Sequence, residues 1–364
     1  MFLVKICFVV FAIKYAGKCF RLSINNLYTF LLFSSVLCYK ETIEVVKVFN
    51  QFVCQYGKDI IDTSICCPSQ AIKVDEEDNV VGPPPTPSSV ENHENLKYLP
   101  EECGLIESPG NKIAGGENAT LNEFPWMAML LYGKGDKLVP NCGGSILNEN
   151  YILTAAHCVV DTPLPFVGVR VGEYSLLSER DCVQDRQNRE RCLPPVQHLI
   201  PIKILAHKDY NSDSNVNDIA LVKVTKINFA DNVQPICLPT HEEILNQKFN
   251  YGVVTGWGYL DPLKGKSEET KHVYVCICLQ DSSPKKVSNN SYNRLCIGGK
   301  AGKDSCRGDS GGPYHVAAYF NEEFRYIQRG IVSIGHIECG KKGFPAVYTN
   351  VDYYMKWILD NIDA

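Results

Sequence analysis

Three short stretches of the sequence carry residue types that together can hydrolyse an acyl bond. In Gly308-Asp-Ser-Gly-Gly-Pro313, preceded by Lys303-Asp-Ser-Cys-Arg307, Ser310 is a candidate nucleophile. A serine hydroxyl is weak until a neighbouring base takes its proton, and adjacent glycines let backbone N–H groups approach a developing oxyanion. A glycine-rich turn would look much the same, so the segment alone does not decide the chemistry. Further upstream, Thr154-Ala-Ala-His-Cys158 places His157 among small residues, and Asn217-Asp-Ile-Ala-Leu221 puts Asp218 at the head of an apolar strand. A lone His or Asp is more often structural. Together, in the order His157, Asp218, Ser310, they form a base, an orienting acid and a nucleophile.

The elements that must position these residues are strands. From Ile113 onward the chain is dense in short β-type runs, among them WMAMLLY, YILTAA, VGVRVG, IALVKV, NYGVVTGWG and RGIVSIG, separated by turn-rich segments. That spacing predicts an all-β, antiparallel barrel or sandwich. Only the end reads as helical, where Val351, Tyr354, Trp357, Ile358 and Ile362 recur on one helix face. Residues 69–102 contain VDEEDN, GPPPTPSS and ENHEN, and are expected to be an extended, exposed linker. Before it, a small cysteine-bearing segment ends in Cys66-Cys67-Pro68. The apolar run Phe2–Ile13 reads as a signal peptide ending at Ala16 rather than as a membrane anchor, although Lys5 interrupts it and Lys14 stands where a small residue is favoured. A second apolar run, Leu27–Leu37, is also too short to span a bilayer, and no later segment is long enough.

Composition narrows the class. The 364 residues carry 36 Lys plus Arg against 41 Asp plus Glu, a net charge of −5, which offers no positive field for a phosphate backbone and excludes nucleic acid as a natural partner. Hydrophobic residues make up 45% and charged ones 21%, the balance of a globule rather than a disordered chain. Seventeen cysteines, without the C-x-x-C pairs and histidines of a zinc site, predict a disulfide framework in an oxidising compartment. The expected location is secreted and extracellular, with no membrane partner and no metal site.

The region 113–364 resembles trypsin-like serine proteases. Its chain order of His, Asp and Ser is that of the chymotrypsin-like group rather than of subtilisins or α/β-hydrolases. Beyond the three motifs it has Ile113-Ala-Gly-Gly116, Phe124-Pro-Trp126, Cys142-Gly-Gly-Ser145, Gln234-Pro-Ile-Cys-Leu-Pro239, Gly256-Trp-Gly258, Ser333-Ile-Gly335 and Pro345-Ala-Val-Tyr-Thr349. The resemblance implies two packed antiparallel six-stranded β-barrels with the triad in the cleft between them and a closing C-terminal helix. It implies His157 as base and then acid, Asp218 as its orienting partner, and the N–H groups of Gly308 and Ser310 as an oxyanion hole. Asp304, six residues before the nucleophile, falls at the base of the primary pocket, with Ser333, Gly335 and Ala346 in its walls. Cleavage after Arg or Lys is expected. Relatives usually have glycine where Ala346 stands and tryptophan where Ile334 stands. Lys112 before Ile113 resembles a zymogen activation site, the freed Ile113 amine then pairing with Asp309.

The same resemblance implies the disulfides Cys103–Cys237, Cys142–Cys158, Cys182–Cys192 and Cys306–Cys339. Cys296 is expected to pair upstream with Cys276 or Cys278, taken as Cys278–Cys296. The insert enclosed by Cys182 and Cys192 is similar to one in arthropod clip-domain serine proteases of the Easter and prophenoloxidase-activating type. Residues 17–68 resemble a clip domain with a degenerate cysteine pattern, which gives the organisation 1–16 signal peptide, 17–68 clip-like domain, 69–112 linker and activation segment, 113–364 protease domain. Asn118 and Asn289 begin glycosylation sequons. No cofactor is required. Glu173 aligns with a loop that holds calcium in some relatives, so calcium stays open, although a plain surface carboxylate is the simpler reading. The expected partners are protein substrates such as downstream zymogens, an upstream activating protease and serpin-type inhibitors. The expected function is a regulatory endopeptidase of a melanisation or Toll-type cascade. The alternatives are a digestive or venom trypsin-like enzyme, or a non-catalytic clip-protease homologue acting as a cofactor.

Overall fold

The computed structural model describes residues 90–105, 119–184, 187–247, 249, 251–259, 292–298, 304–320, 323–336, 338–341 and 344–363, with the backbone of 53–55, 63–65 and 275–278. The signal segment, most of the clip-like region, the linker up to residue 89, Lys112, Ile113, Asn118 and Asn289 lie outside the described residues. The chain divides into two units, Met1–Val81 and Gly82–Ala364. In the first, β1 (Val53–Gln55) pairs antiparallel with β2 (Thr63–Ile65), with Cys54 opposite Ser64.

The second unit contains two curled antiparallel sheets. The first is built from β3 (Met127–Lys134), β4 (Lys137–Ile146), β5 (Tyr151–Thr154) and β6 (Phe166–Val171). A side ribbon of β7 (Cys182–Gln184) and β8 (Glu190–Cys192) follows, then β9 (Gln197–Leu199), β10 (Pro201–Ala206) and β11 (Ala220–Val224). The strand order is β10-β11-β5-β4-β3-β6-β9. Seven strands stand where six were expected, for a local reason. β9 and β10 are consecutive in the chain, parted only at Ile200 before Pro201, and Pro201 has no N–H to give a ladder. One half pairs with β6 and the other with β11, so this bent strand curls the sheet towards closure. The second sheet contains β12 (Tyr251–Val254), β13 (Val275–Cys278), β14 (Arg294–Gly298), β15 (Pro313–Phe320), β16 (Glu323–Ile334) and β17 (Pro345–Asn350). Its order is β13-β12-β15-β16-β17-β14.

Strand alternation explains how the two are joined. Ala128, Ile146, Ile152, Val169, Val171, Val222 and Val224 fill the first barrel, while Ile297, Tyr314, Val316, Ile327 and Tyr348 fill the second. Residues of the opposite face, including Met127, Met129, Leu153 and Leu221, enter a third cluster with Val253, Trp257 and Ile331 of the second barrel. Burying both faces of the central strands removes water from the seam where the functional residues stand. A short helix, α1 (Glu242–Asn246), precedes β12, and α2 (Val351–Asp360) closes the chain. Asn350 caps α2 by accepting from the Asp352 N–H, and Val351, Tyr354, Met355, Ile358 and Leu359 form its buried face.

The linker departs from expectation. From Val90 to Leu105 it is a docked strap, because its apolar residues find a surface: Val90 is buried, and Leu96, Tyr98 and Leu99 pack on the joining core. The Asn95 amide donates to the carbonyls of Leu359 (2.9 Å) and Ile362 (3.3 Å) at the end of α2, and Asn148 donates to the Tyr98 carbonyl at 2.9 Å. Gly104, at φ 57°, lies against the Tyr326 backbone where any Cβ would collide, and exchanges strand-like bonds with Pro235 and Tyr326. Asn95→Ala, which leaves carbonyls at the helix end without their donor, is expected to lower stability by about 1–2 kcal/mol in urea unfolding. An unchanged midpoint would show that the strap carries no stability there.

Candidate active site

His157 lies in a single tight turn, Ala156–Cys158, directly after β5. Two covalent and polar ties fix that turn. The Cys142–Cys158 disulfide fastens it to β4 (Cα–Cα 6.1 Å), and the Tyr132 hydroxyl donates to the Cys158 carbonyl at 2.6 Å. Asp218 stands at the entry to β11, and its own carbonyl accepts from Thr349 Oγ1 at 2.7 Å. Its carboxylate takes three donors. Oδ1 accepts from the His157 N–H at 2.9 Å, while Oδ2 meets His157 Nδ1 at 2.8 Å and Ser333 Oγ at 2.6 Å. Burial alone would raise the Asp218 pKa, but the His157 hydrogen bond and charge, with the Ser333 bond, hold it below the usual carboxylate range. An ionised Asp218 that accepts from Nδ1–H leaves the lone pair on Nε2, the nitrogen able to take a proton.

Ser310 belongs to the turn before β15, and this turn spans the seam. The Gly143 N–H from β4 donates to the Ser310 carbonyl at 2.7 Å, and the Gly311 N–H donates to the Val332 carbonyl of β16 at 2.8 Å. Gly308 has φ 98°, and a Cβ there would meet Gly258 Cα at 3.0 Å, so no other residue holds this turn without strain. Among the described residues no backbone carbonyl takes the N–H groups of Gly308 and Ser310, which leaves both donors available to an oxyanion. No hydrogen bond joins Ser310 Oγ to His157 in this structure; such bonds commonly form only when substrate closes the site.

Two further carboxylates are buried nearby. Asp304 is 8% exposed, and its Oδ2 accepts from the Gly340 N–H at 3.2 Å while Oδ1 is buried with no partner. Burial pushes its pKa up to about 6. Around it stand Ser305, whose Oγ accepts from the Tyr348 hydroxyl at 2.9 Å, and Gly335, where a Cβ would lie 3.9 Å from the Ala346 methyl. The Cys306–Cys339 disulfide clamps the two chain segments that carry this pocket. Asp309 is deeper. It accepts from Gly258 N–H and Cys306 N–H, each at 2.9 Å, and burial raises its pKa to about 6, with the Asp304 charge adding to the shift. No cation faces it among the described residues.

Cys103–Cys237 and Cys182–Cys192 are also bridged. The pair Cys278–Cys296 is not: Cys296 is a half-buried free thiol whose pKa burial raises. β13 and β14 are the two end strands of the sheet and approach each other where it curls round, but among the described residues no ladder pairs them and sets the two cysteines in register. Reasoning from the sequence placed Ser333 in a pocket wall and missed its bond to Asp218. It also missed Ser305 and Tyr348, although both sit inside motifs already singled out, beside Asp304 and Ala346.

Residues 113–358 match the Trypsin family. The chain is 34% identical over 321 residues to Melanization protease 1 of Drosophila melanogaster, covering 83% of this chain and 79% of that one. It is 34% identical over 319 residues to CLIP domain-containing serine protease HP8 of Bombyx mori, covering 84% and 82%. The crystal structure of Drosophila Grass, a clip serine protease of the Toll pathway, superposes with a TM-score of 0.62 at 30% identity, covering 94% of each chain. A buried Asp218–His157 pair, free N–H donors around Ser310 and this breadth of likeness agree: the chain belongs to the trypsin family of serine endopeptidases and, within it, to the clip-domain serine proteases.

Proposed function

We propose that this endopeptidase is a secreted zymogen, activated by cleavage after Lys112, that cuts protein substrates after Arg or Lys in an extracellular cascade of the melanisation or Toll type. The observation that carries the reading is the pair of buried carboxylates, Asp304 and Asp309, each raised to about 6 by burial: among the described residues no cation faces Asp309, and the charge of His336 offsets only part of the burial of Asp304. A buried carboxylate costs energy until it is paired. Asp304, with one oxygen free, suits a substrate guanidinium or ammonium; Asp309 suits the amine that a cut before Ile113 would release. The names of the Drosophila relatives support the cascade, in which an upstream protease would supply the cut, downstream zymogens would be substrates and serpin-type inhibitors would occupy the same cleft.

The chemistry follows from the geometry. His157 Nε2 takes the Ser310 Oγ proton as Oγ bonds to the scissile carbonyl carbon. The carbonyl oxygen becomes an oxyanion held by Gly308 and Ser310 N–H, each donor contributing about 3–4 kcal/mol in the transition state. Asp218 stabilises the imidazolium, which then gives the proton to the leaving amine as the C–N bond breaks. Water repeats the sequence in reverse to release the acid and restore Ser310. Incubating the purified zymogen with a trypsin-like activator, then with candidate downstream zymogens, and sequencing the new N-termini tests the whole reading. Activation without a new terminus at Ile113, or cuts after residues other than Arg or Lys, would overturn it.

The pocket also sets a preference. The Ala346 methyl faces Gly335 across the pocket, at a position where relatives usually have only hydrogen. A guanidinium can fork onto Asp304 directly, whereas the shorter lysine reaches such an acid through a water that a narrowed pocket crowds. Arginine is therefore expected to be favoured over lysine, and Ala346→Gly should reduce the Arg/Lys ratio of kcat/KM by about 1–3 kcal/mol, tenfold or more. Equal ratios in the two enzymes would refute the role of the methyl.

A further inference from the structure

The fold family admits calcium in the loop that begins at Glu173, and the side chains of this chain do not fit it. Calcium takes about six to eight oxygen ligands, drawn from carboxylates and carbonyls that are free to turn inward. Here both carboxylates of the loop, Glu173 and Asp181, are buried, and each of their four oxygens already accepts from a protein donor. Glu173 Oε2 accepts from Arg170 Nη1 at 3.0 Å and Oε1 from the Tyr174 N–H at 3.1 Å. Asp181 Oδ2 accepts from the N–H groups of Tyr174 (3.1 Å) and Ser175 (3.2 Å), and Oδ1 from Ser178 Oγ at 2.6 Å. The loop thus points backbone N–H groups at its acids, the reverse of what a cation needs.

We infer that the Arg170 guanidinium is the resident cation of this loop, standing in place of calcium, and that residues 173–181 form a calcium-independent clasp. The charge balance supports it. Burial raises the Glu173 pKa and the neighbouring Asp181 charge raises it further, while Arg170 is the cation that opposes both. The Glu173 side chain is 4% exposed and that of Arg170 27%, so the pair is shielded from the screening that makes surface ion pairs weak. Arg170 projects from β6, which pairs with both β3 and β9, so the cation is held by the barrel rather than by the loop. The clasp also forms the base of the Cys182–Cys192 ribbon, where the Leu193 N–H closes on the Asp181 carbonyl at 2.8 Å. Geometry of that ribbon should then be the same with and without calcium.

The test is thermal unfolding of the full-length zymogen in millimolar calcium chloride and in excess EGTA, with calorimetric titration of calcium alone. A ligand that binds only the native state must raise Tm. The wild type is expected to show the same Tm in both media, within about 1 °C, and no binding heat. Arg170→Gln should lower Tm by several degrees in both media, and Arg170→Lys should restore part of the loss. A calcium-dependent Tm or a saturable calcium heat in the wild type would overturn the inference, as would an Arg170→Gln protein of unchanged stability. If Arg170→Gln is not secreted, the wild-type scans alone decide.

Discussion

Ser310→Ala is expected to abolish peptide hydrolysis, by roughly 10⁶ in kcat, while leaving a secreted and folded zymogen. The large effect follows from shared work: without Oγ there is nothing for His157 to deprotonate, and Asp218 then orients a base with no task. What remains is the oxyanion hole and substrate binding, worth about 10³–10⁴ over water. The small effect on folding follows from what the residue does structurally. Ser310 contributes its backbone, accepting from the Gly143 N–H at 2.7 Å, and among the described residues no hydrogen bond holds its hydroxyl. Activity of the activated variant against Arg peptides, together with its Tm beside the wild type, checks both halves. Substantial hydrolysis by the pure variant would remove Ser310 from the nucleophile's role.

Lys112→Gln is expected to block conversion of the zymogen by trypsin-like activators, and the reason it should silence the enzyme lies at Asp309. In the uncut chain this carboxylate is 4% exposed and has two backbone donors but no cation among the described residues. Its folded pKa of about 6 lies above the unfolded value. The neutral acid therefore contributes stability below about pH 4, and that contribution, about 3 kcal/mol, is lost as pH rises through 6. On the proposed activation, an ammonium delivered by Ile113 would offset the loss in the cut form and hold the Gly308–Ser310 turn in place. The Tm of cut minus uncut protein should consequently widen as pH rises from 4 to about 6.5 and narrow again only above about 8, the value of an unpaired α-amino group, because pairing raises the folded value beyond it. Asp309→Asn should flatten that profile and leave the cut protein largely inactive. A gap that does not change with pH, or a Lys112→Gln protein that becomes active through another cut, would show that this pairing is not the switch.

The candidate catalytic residues could be picked out from sequence because each lies inside a short contiguous motif: His157 among small residues, Asp218 before an apolar strand, Ser310 among glycines. Short β-type runs between turn-rich segments announced the strands, and the stripe from Val351 to Ile362 announced α2, since both patterns depend only on neighbours a few residues apart. Tertiary structure alone decided the rest. Ser333 reaches Asp218 across 115 positions of sequence, and Asn95 reaches the end of α2 across 264. The described end of the stretch read as exposed linker, residues 90–102, docks because the α2 carbonyls and an apolar surface await it, which its own composition cannot reveal. Cys296 had two upstream candidates by spacing, both on β13, and no ladder pairs that strand with β14, which it approaches only where the sheet curls round. Glu173 reads as a surface acid or a calcium ligand; its pair with Arg170 is only three residues away, and what the tertiary structure adds is the burial of that acid beside Asp181. Local pattern follows from the backbone's few conformations, whereas a distant partner is chosen only when both barrels have closed and the seam between them has excluded water.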